Sequence, residues 1–460
     1  MSTQQQELPS DQQQASQPYP SPAYAWWVIA VLFLAMLVSY VDRQIPALVV
    51  GPMREDLGIN DTQVGWLYSG FAFFYAAAGV PLAWLSDRKS RRLIVTIGIL
   101  AWSFMTVMCG IAKNFWQFFL ARVGVGVGEA TLTPATHSLV GDYFPRDRIP
   151  RALSVFQVGA VVGSGLAFYI IGFVLEFIQS SPPGPMPLVG ELRDWQWVFI
   201  YVGAPGLLVV LLMATVREPI RRAVPKSVSK GDQATIGEIL QFYRTNWKTF
   251  LCHHVGFSFF GMVGYAFVFW TPTFFERVHG MNASDASQTF GIIFMIFGAM
   301  GVLIWAFVGE WLERKGRKDA YILAGLAGGV LTLPFVFFIQ LMPNPFWAFV
   351  LYAPAMFFVN SPFGLANGAI PVITPPNMRA QVAAIYAVIV SVFGMGLGPV
   401  VGGALNDYVF TGDQGVRQSL MAMATFCGII GTSFLWIGRR YYAQSMRRAD
   451  AWEQEMVSEK

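Results

Sequence analysis

The chain has 460 residues, 55% of them hydrophobic and only 13% charged, with a formal net charge of +4 and a mean hydropathy of +0.49. Ordinary soluble domains carry about 25% charge, so this composition excludes a soluble globular chain. The basic residues fall in short clusters between apolar stretches, which excludes a nucleic-acid-binding surface.

Residues 1–24 are rich in Gln, Ser and Pro and are expected to form a disordered cytoplasmic N-terminus. They have no basic n-region, so no cleaved signal peptide is expected. Apolar stretches follow at 26–50, 62–84, 93–112, 115–140, 151–178 and 195–216, each long enough to cross about 30 Å of hydrocarbon as a helix. A polar, basic stretch at 217–246 reads as a cytoplasmic linker. A second set runs 247–275, 286–311, 319–340, 345–372, 378–408 and 416–438, and a cytoplasmic tail occupies 439–460. Cys109, Cys252 and Cys427 all lie in apolar stretches without metal-ligand spacing and read as small buried hydrophobes.

The fold class expected is an all-α membrane protein. It would have twelve transmembrane helices in two pseudo-symmetric six-helix bundles, 25–216 and 247–438. Lys and Arg gather at Arg88–Arg92, at Arg146, Arg148 and Arg151, in the linker, at Arg314–Lys318 and after Arg439. That bias puts both termini in the cytoplasm. The connection after the second span, Ser86-Asp87-Arg88-Lys89-Ser90-Arg91-Arg92, matches the one after the eighth, Leu312-Glu313-Arg314-Lys315-Gly316-Arg317-Lys318, which indicates an internal repeat.

Ionisable groups inside apolar spans are costly and mark function by default. The first span carries Asp42 and Arg43; the fourth carries Arg122 and, seven residues on, Glu129. Seven residues are about two turns, so Arg122 and Glu129 share one side of their helix roughly 10 Å apart. Thr133 extends that face, and His137 lies eight residues beyond Glu129. Glu129 or Asp42 is expected to take up and release the proton, with His137 as a relay toward the cytoplasm or a polar gate residue. Arg122, with Arg43, is expected to hold an anionic headgroup by charge-assisted hydrogen bonds. A structural latch between the first and fourth spans is the competing reading of the same charges.

Other positions carry weaker expectations. Asn360 and Asn367 flank Pro362 in the tenth span and are candidate headgroup or gate contacts. Asp87, Arg88, Arg92, Glu313 and Arg314 read as cytoplasmic gate elements, with Arg151 a possible neighbour. Aromatic residues crowd the second and seventh spans; most would pack, and any that face inward would suit an acyl chain. Glycine runs at Gly159, Gly163 and Gly165, and from Gly394 to Gly403, fit helix interfaces that slide or separate. His253-His254 makes a poor metal site, because no Cys, Asp or Glu stands near it in sequence.

The chain resembles the major facilitator superfamily, and within it the Spinster branch. The signature after the second span, Gly-x-x-x-Asp-Arg-x-Gly-Arg-Arg/Lys, reads Ala83 to Arg92 here, with both glycines replaced; the copy from Gly309 to Lys318 keeps both. Arg122-Val-Gly-Val-Gly-Val-Gly-Glu129-Ala-Thr and Tyr40-Val-Asp42-Arg43 resemble the fourth- and first-span signatures of Spinster-like proteins. The resemblance implies the major facilitator fold and secondary transport of lysophospholipids, sphingosine 1-phosphate or related amphiphiles.

The function expected is therefore a proton-linked carrier of anionic amphiphiles, with protons, membrane lipids and an anionic lysolipid as partners. It would act as a monomer in a bacterial inner membrane, without cofactor or metal. The alternative is a carrier of small organic anions such as sugar acids, to be told apart by whether the cavity has an apolar extension. No filter loop supports a channel. No HExxH, Walker or Gly-x-Ser-x-Gly motif in a suitable context supports an enzyme.

Overall fold

The computed structural model describes residues 18–86, 88–145, 147–221 and 234–458. Among the described residues every regular element is a helix, and the β pairing is confined to an isolated bridge between Met186 and Gly190. The first half of the chain forms α1 (Pro22–Leu48), α2 (Val50–Leu57), α3 (Asp61–Ser86), α4 (Arg91–Gly110), α5 (Phe115–Glu129), α6 (Leu132–Tyr143), α7 (Ile149–Ser180), α8 (Asp194–Gly203) and α9 (Pro205–Ala214). A connecting helix, α10 (Ile236–Thr245), leads into the second half. This comprises α11 (Trp247–His279), α12 (Ala283–Ile293), α13 (Ala299–Arg314), α14 (Ala320–Ile339), α15 (Pro345–Val359), α16 (Ser361–Ile373), α17 (Arg379–Val390), α18 (Leu397–Tyr408) and α19 (Gly415–Ser458). Single π turns, Phe294–Gly298 and Ser391–Gly396, join α12 to α13 and α17 to α18.

Local chemistry sets the helix ends. The side chains of Asn114, Asn282 and Asn344 accept hydrogen bonds from backbone N–H groups in the first turns of α5, α12 and α15, satisfying donors that a helix start leaves free. Gly280, in the left-handed conformation at φ 63°, ends α11.

Eleven helical segments among the described residues are long and apolar enough to cross a membrane. The expected continuous span at 115–140 is not among them, because a two-residue break at Ala130-Thr131 divides it into the shorter α5 and α6, whereas the stretches at 195–216 and 345–372 are interrupted at one residue each. Pro134 supplies the reason: it has no N–H to bond the Ala130 carbonyl, and its ring crowds that carbonyl. Thr131 Oγ1 adds a bond back to Gly128 O at 2.8 Å. The tenth apolar stretch is divided in the same way at Asn360, two residues before Pro362.

Three boundaries differ from expectation. Residues 22–24 of the expected disordered N-terminus are helical, because Pro22 opens α1 at a position where a missing N–H costs nothing; residues 1–17 lie outside the described residues. The linker at 217–246 contains α10, which a capping box starts: Thr235 N donates to Glu238 Oε2 at 2.6 Å, and Thr235 Oγ1 accepts from Glu238 N at 3.3 Å. Residues 222–233 of that linker lie outside the described residues. The tail at 439–460 is not a separate segment as far as Ser458, since α19 continues through it.

The halves meet at the end away from the chain termini. There α3 packs against α18 and its π turn, and α7 packs against α12. Gly65 lets the Pro399–Val400 backbone approach so closely that an added Cβ would lie 2.7 Å from Val400 Cα; Gly165 admits Met295 in the same way. Ser284 Oγ donates to Gly172 O at 2.9 Å across the second seam. Toward the terminal end α3 barely touches α17, so the halves part and a cleft opens there. Gly159 and Gly163 pack within the first half, on α1, rather than between halves.

Candidate functional site

Ser39 and Arg43 stand one helical turn apart on α1, so both reach the same neighbour. That neighbour is Glu129, the last residue of α5 before the break. Arg43 Nε and Ser39 Oγ each donate to Glu129 Oε2 at 2.7 Å. Glu129 is 1% exposed and its other oxygen, Oε1, has no hydrogen-bond partner among the described residues. The Arg43 guanidinium also lies over the rings of Tyr40, Tyr75 and Phe71, at 4.4, 4.8 and 5.1 Å from their centroids. Aromatic faces attract a desolvated cation, so Arg43 is held by one carboxylate and three rings.

Asp42 points elsewhere, as a residue adjacent to Arg43 on a helix must. It is fully buried and accepts from Thr106 Oγ1 of α4 at 3.2 Å. Arg122 is fully buried too; its Nη1 donates to the main-chain oxygen of Asp42 at 3.4 Å, while Nε and Nη2 lack a partner among the described residues. Thus Glu129 is paired with Arg43 on another helix, and Arg122 lies behind them against α1.

A cavity of about 290 Å³ lies between the halves. Arg43, Gln44, Tyr40 and Tyr68 line it from the first half, and Tyr265, Phe269, Asn360 and Phe363 from the second. Arg43 is the only charged group among the described residues lining it; Glu129, Asp42 and Arg122 do not line it. Asn360 has its Nδ2 on Met356 O at 3.0 Å. Asn367 is exposed seven residues further on, bonded to Phe363 O, and does not line the cavity. Thr133 is half-buried and His137 exposed, both on α6 toward the open end.

The expected gate residues make local contacts. Arg88 covers the Trp84 ring at 3.8 Å. Arg92 donates its backbone N–H to Glu218 Oε2 at 2.8 Å. Arg151 lies over Trp26 at 5.6 Å. Glu313 accepts from Tyr321 Oη at 2.8 Å, and Arg314 reaches Glu310 at 3.4 Å. Asp87 lies outside the described residues.

The residue that organises this end is Arg91, which the sequence presents only as one basic residue of the repeated connection and not as a gate residue. It is 2% exposed, donates to Glu218 Oε1 at 2.8 Å, and pairs with Asp142. Its repeat counterpart, Arg317, pairs with Asp319 at 3.0 Å, and Arg439 joins the same carboxylate at 2.7 Å. The repeated motif itself was the available signal, since Arg91 and Arg317 fall at one position of it. Partial burial pushes the Glu218 carboxyl up, but bonds from Arg91, the Arg92 backbone and Ser90 outweigh it and hold the group below its usual range.

A second missed cluster closes the opposite end. Asp61, 1% exposed at the start of α3, accepts both Arg277 nitrogens at 2.6 and 2.9 Å, Asn406 Nδ2 at 3.0 Å and Arg54 at 3.1 Å. Asp407 in turn accepts from Thr62 N at 2.7 Å, Thr62 Oγ1 at 2.6 Å and Asp61 N at 3.2 Å. Arg277, Asn406 and Asp407 belong to the second half, so these are bonds between halves.

The family model described as Major Facilitator Superfamily matches residues 32–399. The chain belongs to the major facilitator superfamily. It is a multi-pass membrane transport protein related to the Spinster branch. It is similar to an MFS-type efflux pump of Mycolicibacterium smegmatis, 27% identical over 92% of this chain and 95% of the relative. It is also similar to protein spinster homolog 1 of Xenopus tropicalis, 26% identical over 94% and 83%. A probable L-galactonate transporter of Escherichia coli K12 is 26% identical over 77% of each chain. Among solved structures, a bacterial homologue of the human lysosomal transporter Spinster, inward-facing and unoccupied, matches with a TM-score of 0.78. It is 26% identical, covering 93% of this chain and 98% of that one. In this facilitator the Arg43–Glu129 pair therefore stands beside the cleft of a transport fold.

Proposed function

We propose that this facilitator is a proton-linked secondary carrier of anionic amphiphiles, of the lysophospholipid or sphingosine-1-phosphate type, working by alternating access. The observation that carries the reading is the buried Arg43–Glu129 pair beside the cavity. Arg43 faces the cavity and Glu129 holds it from behind. Protonating Glu129 cancels the carboxylate charge and leaves the guanidinium free for an anionic headgroup. Loss of the proton restores the pair and competes the headgroup off. The partnerless nitrogens of Arg122 and Oδ1 of Asp42 are a second reserve of charge one layer deeper, available when the helices shift.

The lining favours an amphiphile. Beyond Arg43 it is mainly aromatic and aliphatic, with Tyr265, Val268, Phe269 and Phe363 from the second half. A volume of about 290 Å³ suits a headgroup, with the tail running along the open cleft. The amphiphile class is what the resemblance to the Spinster branch implies, and relatives called spinster are consistent with that branch, while the similarity to a probable L-galactonate transporter supports a second reading, a sugar-acid carrier.

Counting α5 with α6 as one crossing adds a twelfth to the eleven long apolar segments, six in each half. With both termini cytoplasmic, as the basic loops indicate, the open cleft faces the cytoplasm and Asp61–Arg277 closes the outer side. One chain would contain the whole pathway.

The test is uptake into proteoliposomes under an imposed pH gradient. A lysophospholipid should move and respond to the gradient. Glu129→Gln should fold, still transport, and lose the gradient response. Unchanged coupling in that variant would reject the proton role, and transport of galactonate but not lysolipid would favour the second reading.

A further inference from the structure

A separate groove of about 570 Å³ lies in the second half, roofed by α10. Its size is in the range of small-molecule sites, about 300–1,000 Å³. Leu240 and Tyr243 of α10, Leu251 and Phe259 of α11, Ile389 of α17 and Phe393 of the π turn after it line the groove. Several of its apolar residues face outward: Leu240 is 55% exposed, Trp247 54%, Phe393 47% and Leu251 46%. No described residue of the first half lines it, and Arg43 is not part of it.

The charge at its rim has one sign. Arg244 lines the groove itself. An adjoining polar pocket of about 220 Å³ shares Trp247 with the groove and contains Lys248 and Arg448. The Lys248 ammonium rests 5.6 Å from the Trp247 ring and 5.2 Å from the Tyr441 ring, exposed and without a carboxylate partner among the described residues lining either pocket. Arg448 is anchored by bonds to Thr245 O at 3.0 Å and Asn246 Oδ1 at 3.2 Å. An apolar slot ending in three cations, beneath an amphipathic helix at the end of a membrane span, matches a phospholipid bearing net negative charge.

We propose that this groove and its cationic rim bind one anionic membrane phospholipid. An acyl chain lies against Leu251 and Phe393, and the phosphate lies by Arg244 and Lys248. The lipid fastens α10, which has no buried residue of its own, to α11 and α17. This site is distinct from the transport cavity and does not depend on which substrate is carried.

The experiment is native mass spectrometry of the full-length protein, released from nanodiscs of either phosphatidylglycerol or phosphatidylcholine, with inorganic phosphate as a third ligand. Phosphatidylglycerol should be retained under activation that strips phosphatidylcholine. Arg244→Gln and Lys248→Gln, both at exposed positions, should each lower retention about five-fold, the effect of one basic residue near an anionic surface. Leu251→Trp, which fills the slot and leaves the cations in place, should also expel the lipid. Arg43→Ala should leave retention unchanged. Equal retention of phosphatidylcholine would overturn the proposal in favour of a non-selective annular contact. Equal stabilisation by inorganic phosphate would replace it with a soluble-anion site, and loss in Arg43→Ala would place the lipid in the central cavity instead.

Discussion

Arg43 and Arg122 carry the same charge within apolar helices, yet their surroundings assign them different work. Arg43 is stacked on Tyr40 and Tyr75 and lines the cavity, whereas Arg122 is sealed behind α1. A lysine in place of Arg43 keeps the charge but loses the planar stacking and the fixed fork. Arg43→Lys should therefore weaken binding of an anionic substrate about ten-fold, the equivalent of ~1.4 kcal/mol, while Arg122→Lys should change affinity much less; substrate-induced thermal shifts measure both. A reversed order would return the headgroup to Arg122. At the terminal end, Glu218 gives a pH signature. Its carboxyl is held low in the folded protein, so its stabilising bonds are complete above the unfolded value of about 4.3. They are lost as pH falls through the lower folded value. Melting curves of wild type and Glu218→Gln should differ at neutral pH and converge in acid. A gap that persists to pH 2 would mean the carboxylate charge is not what stabilises.

Prolines place the breaks that deliver functional side chains. Pro134 ends α5 at Glu129 and Pro362 ends α15 near Asn360, so a carboxylate and an amide are set at helix ends where their approach can change. Glycines set a different boundary. Gly403 lies with its Cα facing the Asp61 carbonyl of the other half, so closely that no side chain fits. By contrast, a Cβ at Gly394 would meet Gly261, its neighbour within the same half, at an ordinary 3.5 Å. Gly403→Val should push α18 off α3 and increase labelling of cysteines placed on the outer side of the cleft, and Gly394→Ala should not. Equal labelling of the two variants would remove the seam from the account of closure.

At the scale of the whole molecule, closure at one end rests on Asp61. One carboxylate takes a bidentate Arg277, Arg54 and Asn406, and Asp407 caps the start of α3 from the other half. Removing one partner of a buried ion pair leaves the other charge stranded, at a cost of about 3–5 kcal/mol. Asp61→Asn should therefore shift the population toward the state closed at the terminal end. Distances between spin labels across the two ends measure this: the pair near Asp61 should lengthen and the pair near Arg91 shorten. An unchanged distribution would mean the cluster holds the fold rather than the gate.

The apolar stretches, the basic connections and the paired motif fixed most of the crossings and the family likeness in advance, because hydrocarbon admits only helices whose backbone bonds close internally. Buried charge at Asp42, Arg43, Arg122 and Glu129 was equally legible, since each stands out in an apolar run. Which acid meets which base was not. Glu129 reaches Arg43 across 86 residues and Asp61 reaches Arg277 across 216. Spacing along one helix fixes only the face a side chain takes on that helix. The partner opposite is decided when the bundle brings the end of α5 within side-chain reach of α1 and one half closes on the other, and only the assembled molecule holds that choice.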